Sequence, residues 1–259
     1  MRKRIGWMMV LPAAGFLFVA VAWAGTNPEE AFFKANQAYR EGRFQEAIAG
    51  YLDLIRSGCK RGAVYYNLGN AYLKADRLGY AIWAYERALL LTPRDPDLRF
   101  NLSHARDQTR DALGDAGGFL ETLFFWLRSF SLQELFWAFA GLNGFFWSLL
   151  LIRLFKRSEW VYYLLLVFMC LWCVAGLSFG LQYYRIAKDE RAVILPKEVD
   201  IRAGPDPADT VLFKLHEGTV VNHERTDDGW SLIHVSDKKR GWVKQDAIAC
   251  IADQAPIPD

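Results

Sequence analysis

The 259-residue sequence predicts a multi-domain protein: an all-α helical repeat array, then two helices able to span a membrane, then a small all-β barrel. Three observations predict it. Ala47, in Gly42-Arg-Phe-Gln-Glu-Ala-Ile, and Ala81, in Arg77-Leu-Gly-Tyr-Ala-Ile, lie 34 residues apart in matching contexts, and a fixed period of that length marks stacked helix pairs. Two later apolar stretches each approach the ~20 residues a helix needs to cross a bilayer. After Arg185 the helical period gives way to short strand-like runs separated by turn residues.

The chain opens with a basic start, Met1-Arg-Lys-Arg4, and an apolar run from Ile5 to Val21. Ala22-Trp23-Ala24 before Gly25 fits the small-x-small rule, so residues 1–24 read as a secretory signal cleaved between Ala24 and Gly25. A retained anchor is the alternative reading of the same run. Either way, the helical repeats begin on the far side of a membrane. A composition 53% hydrophobic and 15% aromatic is too rich for soluble domains alone. The formal net charge of +2 hides no strongly basic block, which argues against nucleic acid as a partner.

Residues 25–115 form the repeat region, with copies at 27–60 and 62–95 and a capping helix at 96–112. The second copy is the fuller: Tyr65-Tyr-Asn-Leu-Gly-Asn-Ala-Tyr72 opens it, Ala81, Tyr85 and Ala88 follow, and Thr92-Pro93 closes it. It resembles the tetratricopeptide repeat, in which small residues let two helices approach and aromatics fill the space beside them. The first copy has Ala35 in place of the glycine and Cys59 where the proline would fall. The third start, Asp97-Leu-Arg-Phe-Asn-Leu-Ser103, supplies one helix, required because such units cannot bury their apolar faces alone. The resemblance implies a ligand groove lined by the first helix of each pair. Its positions fall on Phe32, Asn36, Tyr39 and Arg40, on Tyr66, Asn70, Leu73 and Lys74, and on Phe100, His104 and Asp107. Asn36, Tyr39, Arg40, Tyr66, Asn70, Lys74 and His104 are therefore the candidate peptide-binding residues. Asn36 and Asn67 match the asparagines of the chaperone-tail subfamily, but Phe32, Asp97 and Asn101 stand where that clamp needs cations, so a chaperone-tail role is rejected.

Residues 116–130, crowded with Phe and with Trp126, read as an interfacial segment. The predicted transmembrane helices are 131–152 and 160–184, with Ser131-Leu-Gln-Glu134 as a capping box. Arg153, Lys156 and Arg157 crowd the loop 153–159, which the positive-inside rule assigns to the cytoplasm, so both soluble ends fall in the periplasm. Neither span carries a buried carboxylate, His or Lys for a proton or ion path. Cys170-Leu-Trp-Cys173 lies within an apolar helix, where packing explains it better than redox or metal chemistry. Cys59 and Cys250 belong to different domains and read as unpaired.

Residues 190–251 form the barrel, with a tail at 252–259. Strands are predicted at 192–195, 199–201, 211–215, 219–224, 230–235 and 241–243. The order Val199-Asp-Ile-Arg-Ala-Gly-Pro205, Leu215-His-Glu-Gly-Thr-Val220, Gly229-Trp-Ser-Leu-Ile233 and Gly241-Trp-Val243 resembles bacterial SH3-like domains. The resemblance implies Trp230 and Trp242 as ligand candidates, although both could equally cap the core. His216, His223 and His234 share this region without the spacing of a metal site.

No phosphate loop, nucleophile elbow or zinc-protease motif is present, so no catalytic residue, cofactor or metal ligand is assigned, and the chain is read as a non-enzyme. The order of modules resembles the repeat-plus-SH3 membrane proteins of bacterial aerotolerance operons, the BatE family. That resemblance implies partners among membrane-bound von Willebrand factor A proteins and a MoxR-type ATPase. The expected function is a non-catalytic inner-membrane scaffold with two periplasmic interaction modules. The alternative is a cell-wall sensor or anchor whose SH3-like domain binds peptidoglycan.

Overall fold

The computed structural model describes residues 27–111, 125–156, 158–236 and 239–252. The leader, including Ala24 and Gly25, lies outside them, as do the first part of the interfacial segment, Arg157 and most of the tail.

Five helices build the array: α1 (Pro28–Arg40), α2 (Phe44–Arg56), α3 (Gly62–Lys74), α4 (Leu78–Leu91) and α5 (Pro96–Arg106). First helices begin 34 residues apart, at 28, 62 and 96, and second helices at 44 and 78. Local chemistry sets these limits. The Asn27 and Asp95 side chains accept backbone N–H groups at the starts of α1 and α5, each with proline in the first turn. The α1–α2 and α3–α4 turns share one hydrogen-bond pattern: Arg43 N–H donates to Ala38 O at 2.9 Å, and Arg77 N–H to Tyr72 O at 3.0 Å. Both pass through a left-handed residue, Gly42 in the first and Asp76 in the second. Thr92 caps α4, and Pro93 comes next, unable to continue the helix.

A short 3₁₀ turn (Phe125–Arg128) leads into α6 (Leu132–Phe155) and α7 (Glu159–Ala187), both long and apolar enough to cross a membrane. The capping box on α6 is formed: Ser131 Oγ accepts Glu134 N–H, and Glu134 Oε2 accepts Ser131 N–H at 2.9 Å. α6 and α7 run antiparallel along a ladder of stacked rings. Phe146 lies on Trp172 (5.6 Å), Trp172 on Phe139 (5.9 Å) and Phe139 on Phe179 (6.3 Å), so rings from the two helices alternate at heptad spacing. At the other end, Trp126 Nε1 donates to Ser178 Oγ (3.2 Å) and Gln182 Nε2 to Phe130 O (3.3 Å), which holds the 125–130 segment across α7.

Seven antiparallel strands complete the described chain: β1 (Arg191–Ile194), β2 (Glu198–Arg202), β3 (Val211–His216), β4 (Val220–Asp227), β5 (Trp230–Ser236), β6 (Lys239–Lys244) and β7 (Ile248–Cys250), in the order β3-β2-β6-β5-β4-β1-β7. β7 was not among the expected strands. It is three residues long, comes after the turn Gln245–Ala247, and pairs with β1 through Ala192 opposite Cys250 and Ile194 opposite Ile248. Ile194, Ile201, Leu215, Val221, Ile233, Val243 and Ile248 fill the barrel.

Array and barrel are not separate bodies. Val193, Leu195, Ala249 and Ile251 belong to the same buried cluster as the array helices. The contact is α4, and 34-residue equivalents explain why. On α2 the positions Gln45, Glu46, Ala49 and Asp53 are exposed; on α4 the same positions are Gly79, Tyr80, Trp83 and Arg87, all buried or half-buried. An outer face that is polar on the first pair has become a docking face on the second. Gly79 is required there, because a Cβ would collide with Ile194 O and lie 2.9 Å from Leu195 Cα. Gly218, in the β3–β4 turn at φ +83°, presses against Ile82 and Thr109 in the same seam. Arg94, between α4 and α5, pairs with Glu134 and sits 5.0 Å over the Phe130 ring. The array and the barrel therefore share one end of the α6–α7 hairpin.

Candidate peptide groove and barrel face

The first helices α1, α3 and α5 lie side by side, joined by a hydrogen-bonded ladder that repeats every 34 residues. Asn36 Oδ1 accepts Tyr51 Oη–H (2.6 Å) and Asn67 Nδ2–H (2.8 Å). One repeat later, Asn70 Oδ1 accepts Tyr85 Oη–H (2.6 Å) and Asn101 Nδ2–H (3.1 Å). Each asparagine thus ties its helix to its own partner helix and to the next pair, satisfying buried phenols that would otherwise be costly. Burial pushes the Tyr51 phenol up to about 12, despite the opposing influence of the Asn67 amide and Arg40, so it stays a donor.

Between α1 and α3 the ladder leaves a cleft of about 180 Å³ lined by Asn36, Tyr39, Arg40, Tyr51, Asn67 and Asn70. Four of the sequence-derived candidates, Asn36, Tyr39, Arg40 and Asn70, meet there. Tyr66, Lys74 and His104 do not line it. Tyr66 Oη accepts Asn101 Nδ2–H at 3.0 Å, Lys74 is exposed at the end of α3, and His104 is exposed with its ring stacked 6.5 Å from Phe100. Burial, with a smaller effect of Tyr66, raises the Tyr39 phenol, which keeps it protonated. Arg40 and Lys74 sit in the last turns of α1 and α3, where the helix dipole favours cations. Phe33 and Phe100, 59% and 72% exposed, are the large apolar side chains left open on α1 and α5. Tyr51 is an addition to the sequence reading, and Asn67, matched there to an asparagine of the chaperone-tail subfamily but not counted among the peptide-binding candidates, lines the cleft as well.

At the junction, Glu86 is 1% exposed and carries two ion pairs, to Arg106 of α5 and, at 3.2 Å, to Arg191 of β1; Arg191 also binds Asp189 at 2.8 Å. Trp83 Nε1 donates to Cys250 O at 3.0 Å. Asp111 accepts the His216 backbone N–H (2.8 Å) and Thr219 Oγ1–H (2.9 Å), with His216 Nδ1 at 3.3 Å. Partial burial works to raise the Asp111 carboxyl, but these hydrogen bonds together outweigh it and hold the group below its usual range. Sequence reasoning missed this seam, although the change from Gln45 and Ala49 to Gly79 and Trp83 was its signal.

Trp230, Leu232 and Trp242 form a buried cluster apart from the barrel core, with Leu232 opposite Trp242 across β5 and β6. Trp230 and Trp242 are 9% and 8% exposed, and the Arg225 guanidinium lies 5.4 Å over the Trp242 ring. The histidines are dispersed: His216 at the junction, His223 Nε2 2.9 Å from Thr226 Oγ1, and His234 Nδ1 3.2 Å from Glu224 Oε1. Among the described residues no cluster of three or more His, Cys, Asp or Glu is placed to hold a metal. All four cysteines are free; Cys170 and Cys173 face outward from α7, and burial raises the Cys250 thiol.

Residues 196–249 match the family model of the bacterial SH3 domain. The match covers β2 through most of β7 and leaves β1 outside. β1, β7 and the β3–β4 turn pack on α4. That family fits a protein-interaction or cell-wall-binding module. The chain matches no curated protein.

Proposed function

We propose that this chain is a non-catalytic adaptor of the bacterial inner membrane, in which a tetratricopeptide-type array and an SH3 barrel act as one periplasmic recognition unit on a transmembrane hairpin. The observation that carries this reading is the 34-residue ladder of Asn36, Tyr51 and Asn67 repeated by Asn70, Tyr85 and Asn101, which builds a groove from the first helices. Such a groove takes an extended segment through backbone hydrogen bonds and side-chain contacts.

The hairpin rests on the length and apolar surface of α6 and α7, and the basic connector at Arg153 and Lys156 favours the cytoplasm for its loop. Packing of barrel on array supports one compartment for both. The resemblance to the BatE family makes membrane-bound von Willebrand factor A proteins and a MoxR-type ATPase the first partners to test.

A photo-crosslinking residue at Tyr39, in the full chain in native membranes, tests this reading. Adducts to protein that vanish when Arg40 and Lys74 are both changed to Glu support it. Recovery of the same adducts from that variant removes the groove from the function.

A second reading, peptidoglycan recognition, is favoured by the bacterial SH3 match. Sedimentation of the intact detergent-solubilised protein with purified sacculi tests it: retention lost on changing Arg225 and Trp242 supports it, and no retention removes it.

A further inference from the structure

Lipid offers no hydrogen bonds, so a polar side chain in the middle of a transmembrane helix must find its partner in protein. Asn143 stands at the midpoint of the 24-residue α6, and it is the one amide or ionisable side chain in the interior of either span. It makes no hydrogen bond among the described residues. Ser148, the next polar residue along α6, differs: its hydroxyl donates within the helix to Gly144 O at 2.8 Å. Trp172 adds a second unmet group. Its Nε1 is buried without a partner among the described residues, and its ring stacks on both Phe139 and Phe146, which bracket residue 143. An amide and an indole N–H are therefore left unsatisfied at one depth of the bilayer. Around Asn143 the sequence runs as a heptad, with Phe136, Ala140, Asn143, Trp147, Leu150 and Leu154 at alternate steps of four and three. At about 100° per residue, this stripe lies roughly a quarter turn from the rings of α6 that pack on α7. Phe136, Trp147 and Leu154 are exposed on it. Ala140 is small, and a Cβ on Gly144 would meet nothing within 4 Å, so another helix can approach closely beside the amide.

We propose that α6 packs against α6 of a second copy of this chain, with the two Asn143 amides hydrogen-bonded to each other about a two-fold axis along the membrane normal. The inference rests on α6 and α7 crossing a bilayer. The chemistry of the group selects its own copy as partner. An amide carries both an acceptor and donors, so two of them satisfy each other, and copies inserted in one orientation hold residue 143 at one depth without further matching. Neither α7 at that depth nor the apolar run 5–21 offers an amide or a charged side chain. In the pair each amide oxygen accepts one N–H and keeps one lone pair, and the Trp172 indole supplies a donor at that level.

The test uses the full chain in native membranes, with its four cysteines replaced by alanine and one cysteine introduced at a time. Mild oxidation should bridge Ala140→Cys into a dimer and leave Ala138→Cys, on the opposite side of α6, as a monomer. In liposomes, energy transfer between labelled copies, followed as lipid is added, gives the association constant. Asn143→Leu should weaken association about tenfold, and Asn143→Gln, which keeps the amide, should restore most of it. Each variant should stay in the membrane pellet after a carbonate wash. A monomer at every lipid ratio, or association unchanged by Asn143→Leu, overturns the inference and leaves the hairpin standing. Bridging through Ala138→Cys in place of Ala140→Cys overturns the face. Adducts of Ala140→Cys to a different protein, with none to its own copy, overturn the choice of partner. Release of the unaltered chain by carbonate removes the hairpin and the inference with it.

Discussion

Gly79 offers a test in which two well-known effects predict opposite signs. In a free helix, replacing glycine by alanine stabilises by about 1 kcal/mol. At Gly79 the added methyl would overlap Ile194 O and stand 2.9 Å from both Leu195 Cα and Leu195 O, against the 3.4 Å at which ordinary contact begins. All three atoms are backbone, so no side chain can swing away, and α4 must part from β1. Overpacking of that kind costs roughly 1–3 kcal/mol, and the rigid neighbours favour the upper end. The net expectation for Gly79→Ala is a loss of about 1–2 kcal/mol, with Gly79→Val losing more. The equivalent change on α2, Gln45→Ala, lies on an exposed face and should stay within about 0.5 kcal/mol. Urea unfolding of the intact protein in micelles, monitored by circular dichroism, measures both. If Gly79→Ala stabilises by about 1 kcal/mol, α4 is an ordinary solvent-facing helix and the packed seam is wrong.

Removal of the Glu86 carboxylate takes a buried anion from both Arg106 and Arg191; both arginines are about a third exposed, so Glu86→Ala should cost about 2–3 kcal/mol in the same unfolding assay. Asn70→Ala strips the acceptor from the Tyr85 hydroxyl and the Asn101 amide, and a loss of about 1–3 kcal/mol is expected, matched by Asn36→Ala one repeat earlier. Alkali should unfold the array through its tyrosines. Burial lifts Tyr51 and Tyr72 to about 12, above the ~10 of an unfolded chain. Below pH 10 both states hold the proton and stability is intact; above it only the unfolded state ionises, so stability falls as pH rises from 10 to 12. Phenolate absorbance that appears without any loss of helical signal would contradict this.

The repeat period was legible because it is written in small residues and aromatics whose spacing packing enforces, as at Ala47, Ala81 and Tyr85. The α6 start was legible because Ser131 and Glu134 satisfy each other locally. β7 was not, since three residues after a tight turn carry no alternation to read. The groove was half legible: Asn36, Tyr39, Arg40 and Asn70 meet in the cleft, but only the hydrogen bonds reveal that both amide oxygens are spent. The seam between array and barrel was hidden for another reason. Residues 83 and 250 are far apart in sequence, and the hint lay in a comparison of outer faces, Gln45 and Ala49 against Gly79 and Trp83, rather than in any motif.

The decisive measurement is a crosslink across that seam in native membranes. Lys197 Nζ lies 2.9 Å from Asp76 Oδ2, joining the loop after β1 to the α3–α4 turn, and both side chains are exposed. With the four native cysteines replaced, the pair Asp76→Cys and Lys197→Cys should be bridged by a short bis-maleimide within the intact full-length chain. Failure to bridge them, while a control pair within the array reacts, would mean that the repeats and the barrel do not form one body on one side of the membrane.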